Sequence, residues 1–150
     1  MAAPNLIPPP IDEIRDNFAF FDSWEDRFTY LIDLGKKLPP FPEPLKDEPH
    51  RVHGCQSNVW LDLQSESVAD EDRLHLLAVS DAHIVNGLIA VLRSLYHGQP
   101  LNQVQQLDAE ELFRALGLDE HLSPTRRNGL HAMIQRIRQL AQAQAESPQA

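Results

Sequence analysis

The sequence predicts an α+β fold in a single compact domain, with a small antiparallel sheet of about three strands packed against flanking helices. Three observations carry this expectation. Apolar residues recur at helical spacing near both ends of the chain, they alternate with polar ones at residues 59–64, and a proline-rich connection precedes that alternating stretch. A chain of 150 residues can bury a sufficient core without disulfide or metal staples. One domain therefore spans 1–150, with 1–10 and 145–150 expected to be flexible ends.

Ile11, Ile14, Phe18 and Phe21 lie three or four apart, which predicts a first helix over 11–21 with one buried face. Ser23 with Asp26 resembles a capping box, and Trp24, Phe28, Leu31, Ile32 and Leu34 continue the apolar stripe of a second helix to about Lys37. Pro39, Pro40, Pro42, Pro44 and Pro49 fix their own torsions and donate no backbone hydrogen bond, so residues 38–50 are expected to be extended and non-helical. Val59, Leu61 and Leu63 alternate with Trp60, Asp62 and Gln64, and a second apolar run covers 73–79 after an acidic turn. These are read as two antiparallel strands, with a third from Arg51 to His53. The segment from Ile84 to Leu95 is so apolar that it belongs in the core, and Asp81 is placed as its N-cap. Short helices follow at 101–106 and 109–116, stopped by Gly117. Ser123 caps a last helix with Pro124 at its first position and Met133, Ile134, Ile137 and Leu140 on its inner face.

Thirteen Lys and Arg against twenty-two Asp and Glu leave a net charge of -9, which repels both a nucleic-acid backbone and an anionic membrane surface. No apolar run approaches a membrane span, and Met1 to Pro10 lacks the basic start and apolar stretch of a secretory signal, so the expected location is cytoplasmic. The lone cysteine excludes an internal disulfide and the common zinc or iron-sulfur ligand sets from one chain. Cys55 is thus either inert or reactive.

Free cysteine is most often a small buried filler. Cys55, however, lies between the proline-rich connection and a strand start, in the kind of loop where functional groups collect. Gly54 supplies torsions denied to other residues and leaves space beside the sulfur for an approaching backbone. That geometry suits attack on a sulfur carried by another protein. A thiol near its reference pKa of about 8.5 is only a few per cent ionised at neutral pH, so local help is expected. His50, Arg51, His53 and the more distant Arg126 are the candidates to give it.

The segment Gly54-Cys55-Gln56-Ser57-Asn58-Val59-Trp60 resembles the cysteine loop of the SufE and CsdE sulfur acceptors. Further similar blocks follow in order: Leu34-Gly35-Lys36-Lys37-Leu38-Pro39, Ser80-Asp81-Ala82-His83-Ile84-Val85-Asn86-Gly87-Leu88-Ile89-Ala90-Val91 and Leu122-Ser123-Pro124-Thr125-Arg126-Arg127-Asn128-Gly129-Leu130. Together they span about residues 10–140, closer to the SufE branch, and separated blocks in order are more specific than any one alone. The resemblance implies an α+β domain whose loop cysteine is sheltered when free and swings outward when docked. It implies that Cys55 takes persulfide sulfur from a cysteine desulfurase, of SufS or CsdA type, whose own cofactor is pyridoxal phosphate. The sulfur then passes to an iron-sulfur scaffold complex. Asp81 and Arg126 resemble family residues near the cysteine loop and are carried over as supporting residues, and Gln56 and Ser57 are expected to anchor the loop by hydrogen bonds. The resemblance describes a sulfur-transfer partner and not an independent enzyme, and the sequence leaves a homodimer open.

Other readings compete. His50, His53 and Cys55 offer three ligand types within six residues, but at irregular spacing and without a second cysteine, and the remaining histidines form no paired helical motif. No metal and no resident cofactor is expected. A cysteine hydrolase would need one of these histidines brought to Cys55 by folding. A docking module that activates a desulfurase without using its thiol is the third reading.

Overall fold

The computed structural model describes residues 8–146, so 1–7 and 147–150 of the expected flexible ends lie outside the described residues. Two helices, α1 (Ile11–Phe20) and α2 (Trp24–Lys36), lead into the proline-rich connection. A two-stranded antiparallel sheet, β1 (Val59–Val68) and β2 (Glu71–Ser80), comes next, followed by the central helix α3 (His83–Tyr96). The chain ends in a 3-10 turn at Leu101–Gln106, the short helices α4 (Ala109–Ala115) and α5 (Leu118–His121), and the long helix α6 (Pro124–Glu146). The mixed helix and sheet architecture in a single compact domain agrees with the expected class.

The helix starts follow the sequence signals. The Ser23 hydroxyl accepts from the Asp26 amide at 3.1 Å, and the Ser123 hydroxyl accepts from the Arg126 amide at 3.2 Å, each satisfying a donor that the first turn would leave free. Gly117, with φ of +79°, ends α4 as expected. Within the proline-rich connection, Glu43–Leu45 close one 3-10 turn, a shape that tolerates the Pro44 ring near its start.

Two expectations are corrected. The third strand is reduced to one isolated bridge between Arg51 and Trp60, because the chain turns away through Gly54 before a ladder can form. Asp81 does not cap α3: the N-cap position is Ala82, with no side-chain cap. The strand β2 carries extended backbone through Ser80, whose amide donates to Asn86 Oδ1 at 2.7 Å and whose carbonyl accepts from Asn86 Nδ2 at 3.0 Å. This leaves the Asp81 carboxylate free to bond elsewhere.

The strands pair in register from Val59 with Ser80 to Val68 with Glu71, closing over a two-residue turn at Ala69 and Asp70, both with positive φ as a primed hairpin turn requires. The outer edge of β2 is covered: Leu74 exchanges backbone hydrogen bonds with Gln99 and Gly98, and the Leu76 amide donates to His97 Nδ1 at 3.1 Å. Ile14, Leu31, Leu88, Leu92, Tyr96, Phe113, Leu118 and Ile134 are fully buried in one continuous core, each worth roughly 1.5–3 kcal/mol of transfer from water. The α2 and α3 backbones touch. A Cβ added to Gly87 would lie 2.5 Å from the Leu31 carbonyl oxygen, and one added to Gly35 would lie 2.7 Å from the backbone at Asn86 and Gly87. Only glycine permits that crossing. It fixes α3, and with it the wall against which the cysteine loop rests.

Candidate functional site

The cysteine loop, residues 53–58, is closed at its base by backbone hydrogen bonds. The Val52 amide donates to the Val59 carbonyl and the Leu61 amide to the His50 carbonyl, each at 2.8 Å. Between these anchors Gly54 turns with φ of +94°, a torsion that side chains rarely adopt, and a Cβ there would also press on Ala132 at 3.2 Å. Glycine is required at this position on both counts.

The turn delivers Cys55 half-buried onto α6, where its Sγ lies 3.5 Å from the Gly129 carbonyl oxygen, within reach of a weak S–H donation. Beside it is a cavity of about 20 Å³, near the size that holds one water. Val59, Val85, Leu88, Leu130 and Met133 form its apolar wall, while Ser57, Thr125 and Arg126 stand among its polar lining. Burial pushes the Cys55 thiol above its ordinary pKa, and the positive charge of Arg51 opposes that shift only in part. In this resting arrangement the sulfur is a protonated, sheltered thiol and a poor nucleophile.

The remaining expected site residues divide between the two arms of the loop. On the C-terminal arm, Arg126 Nη1 donates to the Ser57 hydroxyl at 3.3 Å. Asp81 accepts from the Asn58 amide at 3.2 Å and from Asn58 Nδ2 at 2.9 Å, and its own amide returns a bond to the Asn58 carbonyl at 3.2 Å. Ser57 thus ties the loop as expected, whereas Gln56 lines the cavity without a hydrogen bond described for its side chain. On the N-terminal arm, His53 Nε2 faces Glu48 at 2.8 Å and does not line the Cys55 cavity. His50 faces Asp47 and Asp62. The histidines near Cys55 in sequence are therefore engaged by carboxylates, and among the described residues no histidine lines the cavity.

Sequence reasoning missed Asn58, Gly129 and Glu48. Asn58 sits inside the quoted loop motif, yet its partner lies 23 residues on, and the Gly129 contribution is a backbone carbonyl that no side-chain pattern announces. Glu48 was hidden among prolines.

Comparisons place this geometry in a family. The model of the SufE family, an Fe-S metabolism associated domain, matches residues 12–141. An uncharacterized SufE-like protein of Rhizobium meliloti is 43% identical over 132 residues, covering 88% of this chain and 94% of its own length. A second uncharacterized SufE-like protein, of Rhizobium etli, is 42% identical over 140 residues, covering 93% and 95%. The solution structure of a hypothetical protein from Thermus thermophilus superposes with a TM-score of 0.67 at 26% identity, covering 92% of this chain and 97% of that one. The loop cysteine, the α+β frame around it and these matches agree: the chain belongs to the SufE family, whose domain is associated with Fe-S metabolism.

Proposed function

We propose that this protein is a sulfur acceptor and carrier: Cys55 takes the sulfane sulfur of a persulfide held by a pyridoxal-phosphate-dependent cysteine desulfurase, stimulates that enzyme by clearing it, and hands the sulfur on for iron-sulfur cluster assembly. The observation that carries this reading is the chain's single cysteine, placed on a turn beside Gly54 and supported from both arms of its loop. In the transfer, the Cys55 thiolate attacks the outer sulfur of the partner's persulfide. A new S–S bond forms on Cys55, the old one breaks, and its electron pair leaves on the partner's cysteine as thiolate. The partner is ready for another turnover and Cys55 carries the persulfide.

The resting thiol is half-buried and protonated, which suits a carrier that must ignore stray oxidants and electrophiles until docked. Docking must bring Cys55 out of its cavity and let it ionise. The hydrolase reading lacks support, because the sulfur is half-buried in a cavity near one water in size and the nearby histidines face carboxylates. The acidic surface fits encounter with a basic face on the partner, while charge governs rate more than identity.

The test is intact mass spectrometry under non-reducing conditions after incubation with a cysteine desulfurase and free cysteine. The native chain should gain one or more sulfur atoms that dithiothreitol removes, and Cys55→Ser should gain none and fail to stimulate the desulfurase. Stimulation by Cys55→Ser equal to the native chain would instead favour the docking module. No gain on the native chain with a competent desulfurase overturns the acceptor reading.

A further inference from the structure

The loop carrying Cys55 is tied at its C-terminal arm by Ser57 to Arg126 and Asn58 to Asp81, and at its centre by the Cys55 thiol to the Gly129 carbonyl. On the N-terminal arm the corresponding tie is His53 to Glu48, which reaches from inside the loop across its backbone anchor at Val52. Glu48 serves two partners: its Oε2 lies 2.8 Å from His53 Nε2, and its Oε1 lies 3.7 Å from Arg51 Nη1. These residues line a groove of about 520 Å³ with Ala132 and Arg136, on which the Gly54 turn also packs through Ala132.

We propose that Glu48 is a positioning residue for Cys55: through His53 it latches the N-terminal arm of the loop shut, and by pairing with Arg51 it keeps that guanidinium engaged in the groove. The charged and titratable groups set around Cys55 are then Arg126 from α6, Asp81 through Asn58, and Glu48, Arg51 and His53 on the approach. Loss of the Glu48 charge frees the arm and leaves the Arg51 charge unopposed, and both changes favour an exposed thiolate. The role in transfer rests on the acceptor reading above, whereas the latch itself is a property of the free chain. Glu48 and His53 are 67% and 66% exposed, so the pair is a weak one, suited to being opened by a partner.

The latch is read by the rate at which iodoacetamide alkylates Cys55, followed against pH at low ionic strength. Glu48→Gln and His53→Gln should each raise the limiting rate by about two- to fivefold, the range an exposed polar contact of this kind sustains. Glu48→Gln should also move the pH midpoint down, while Arg51→Gln should move it up and leave the limiting rate unchanged. About 0.5 M salt should draw the pH midpoints of the native chain and Glu48→Gln together, because screening acts on the Glu48 and Arg51 charges. Equal limiting rates for the native chain and both latch variants at low salt, with unchanged melting temperatures, overturn the proposal. Desulfurase incubation separates the two readings: a native chain that takes up no sulfur while its variants alkylate faster sinks the acceptor role and keeps the latch.

Discussion

Asp81 and Asn58 hold one another by hydrogen bonds in both directions, two accepted by the carboxylate and one donated by the Asp81 amide. The strand end and the cysteine loop are joined there. Asp81→Ala removes both side-chain acceptors and should cost about 1 kcal/mol, since the Asn58 groups regain water when released. Alkylation of Cys55 should quicken several-fold as the loop loosens. Thermal melting and thiol kinetics on the same sample check both halves, and a lower melting point with unchanged thiol kinetics would show that the bond supports the fold alone.

The raised pKa of Cys55 gives a second expectation. Burial favours the neutral thiol in the folded chain, so the unfolded chain ionises first as pH rises. The stabilising contribution is complete below the ordinary thiol range and declines through it towards the higher folded value. Denaturant midpoints from neutral pH into the alkaline range should fall more for the native chain than for Cys55→Ser. Parallel curves would contradict the buried thiol.

His97 behaves in the opposite sense. Burial, and then the nearby charge of Arg93, lowers its pKa to about 4, and its Nδ1 accepts from the Leu76 amide, which a protonated ring could not do. Its neutral form contributes stability above the ordinary histidine range, and that contribution is lost as pH falls from about 6.5 towards 4. At about 1.4 kcal/mol per pH unit the window corresponds to about 3.4 kcal/mol, which solvent screening of this half-buried ring reduces to about 2 kcal/mol. Urea titrations between pH 7 and 4 should show this acid loss in the native chain and a flatter response in His97→Gln.

Gly87→Ala tests the helix crossing. Its Cβ would meet the Leu31 carbonyl oxygen at 2.5 Å, and backbone on both sides leaves no flexible side chain to move aside. A loss of about 3 kcal/mol or more is expected, at the upper end for one added methyl group. Circular dichroism melting should show it, and an unchanged melting temperature would mean that α2 and α3 can separate freely.

The features that were legible in the sequence are those whose cause is local. Helical spacing located α1, α2, α3 and α6, and the caps at Ser23 and Ser123 marked starts that the structure keeps. Cys55 stood out because it is alone and lies in a loop. What escaped depends on folding. Asp81 was misread as a cap because an acidic residue before an apolar helix has a ready local role, yet Asn58 claims its carboxylate from 23 residues away. The segment 51–53 looked like a strand because Val52 does pair with Val59, but the turn at Gly54 allows only one bridge. The hairpin also runs past its apolar alternation into exposed Glu66 to Val68, held by backbone pairing without a buried face.

The hydrogen bond from Val52 to Val59 sets a leash. Cys55 stands three residues beyond Val52, and chain at full stretch advances about 3.5 Å per residue, so the Cys55 Cα can stand no more than about 10 Å from that of Val52 while that bond persists, with only the short side chain to add to it. A sulfur donor set deeper than this in its own protein would be out of range. On the acceptor reading proposed above, the delivering protein would have to present its cargo near its surface or carry it there on a mobile segment, and the shorter arm of this loop would govern the distance between the two docked bodies.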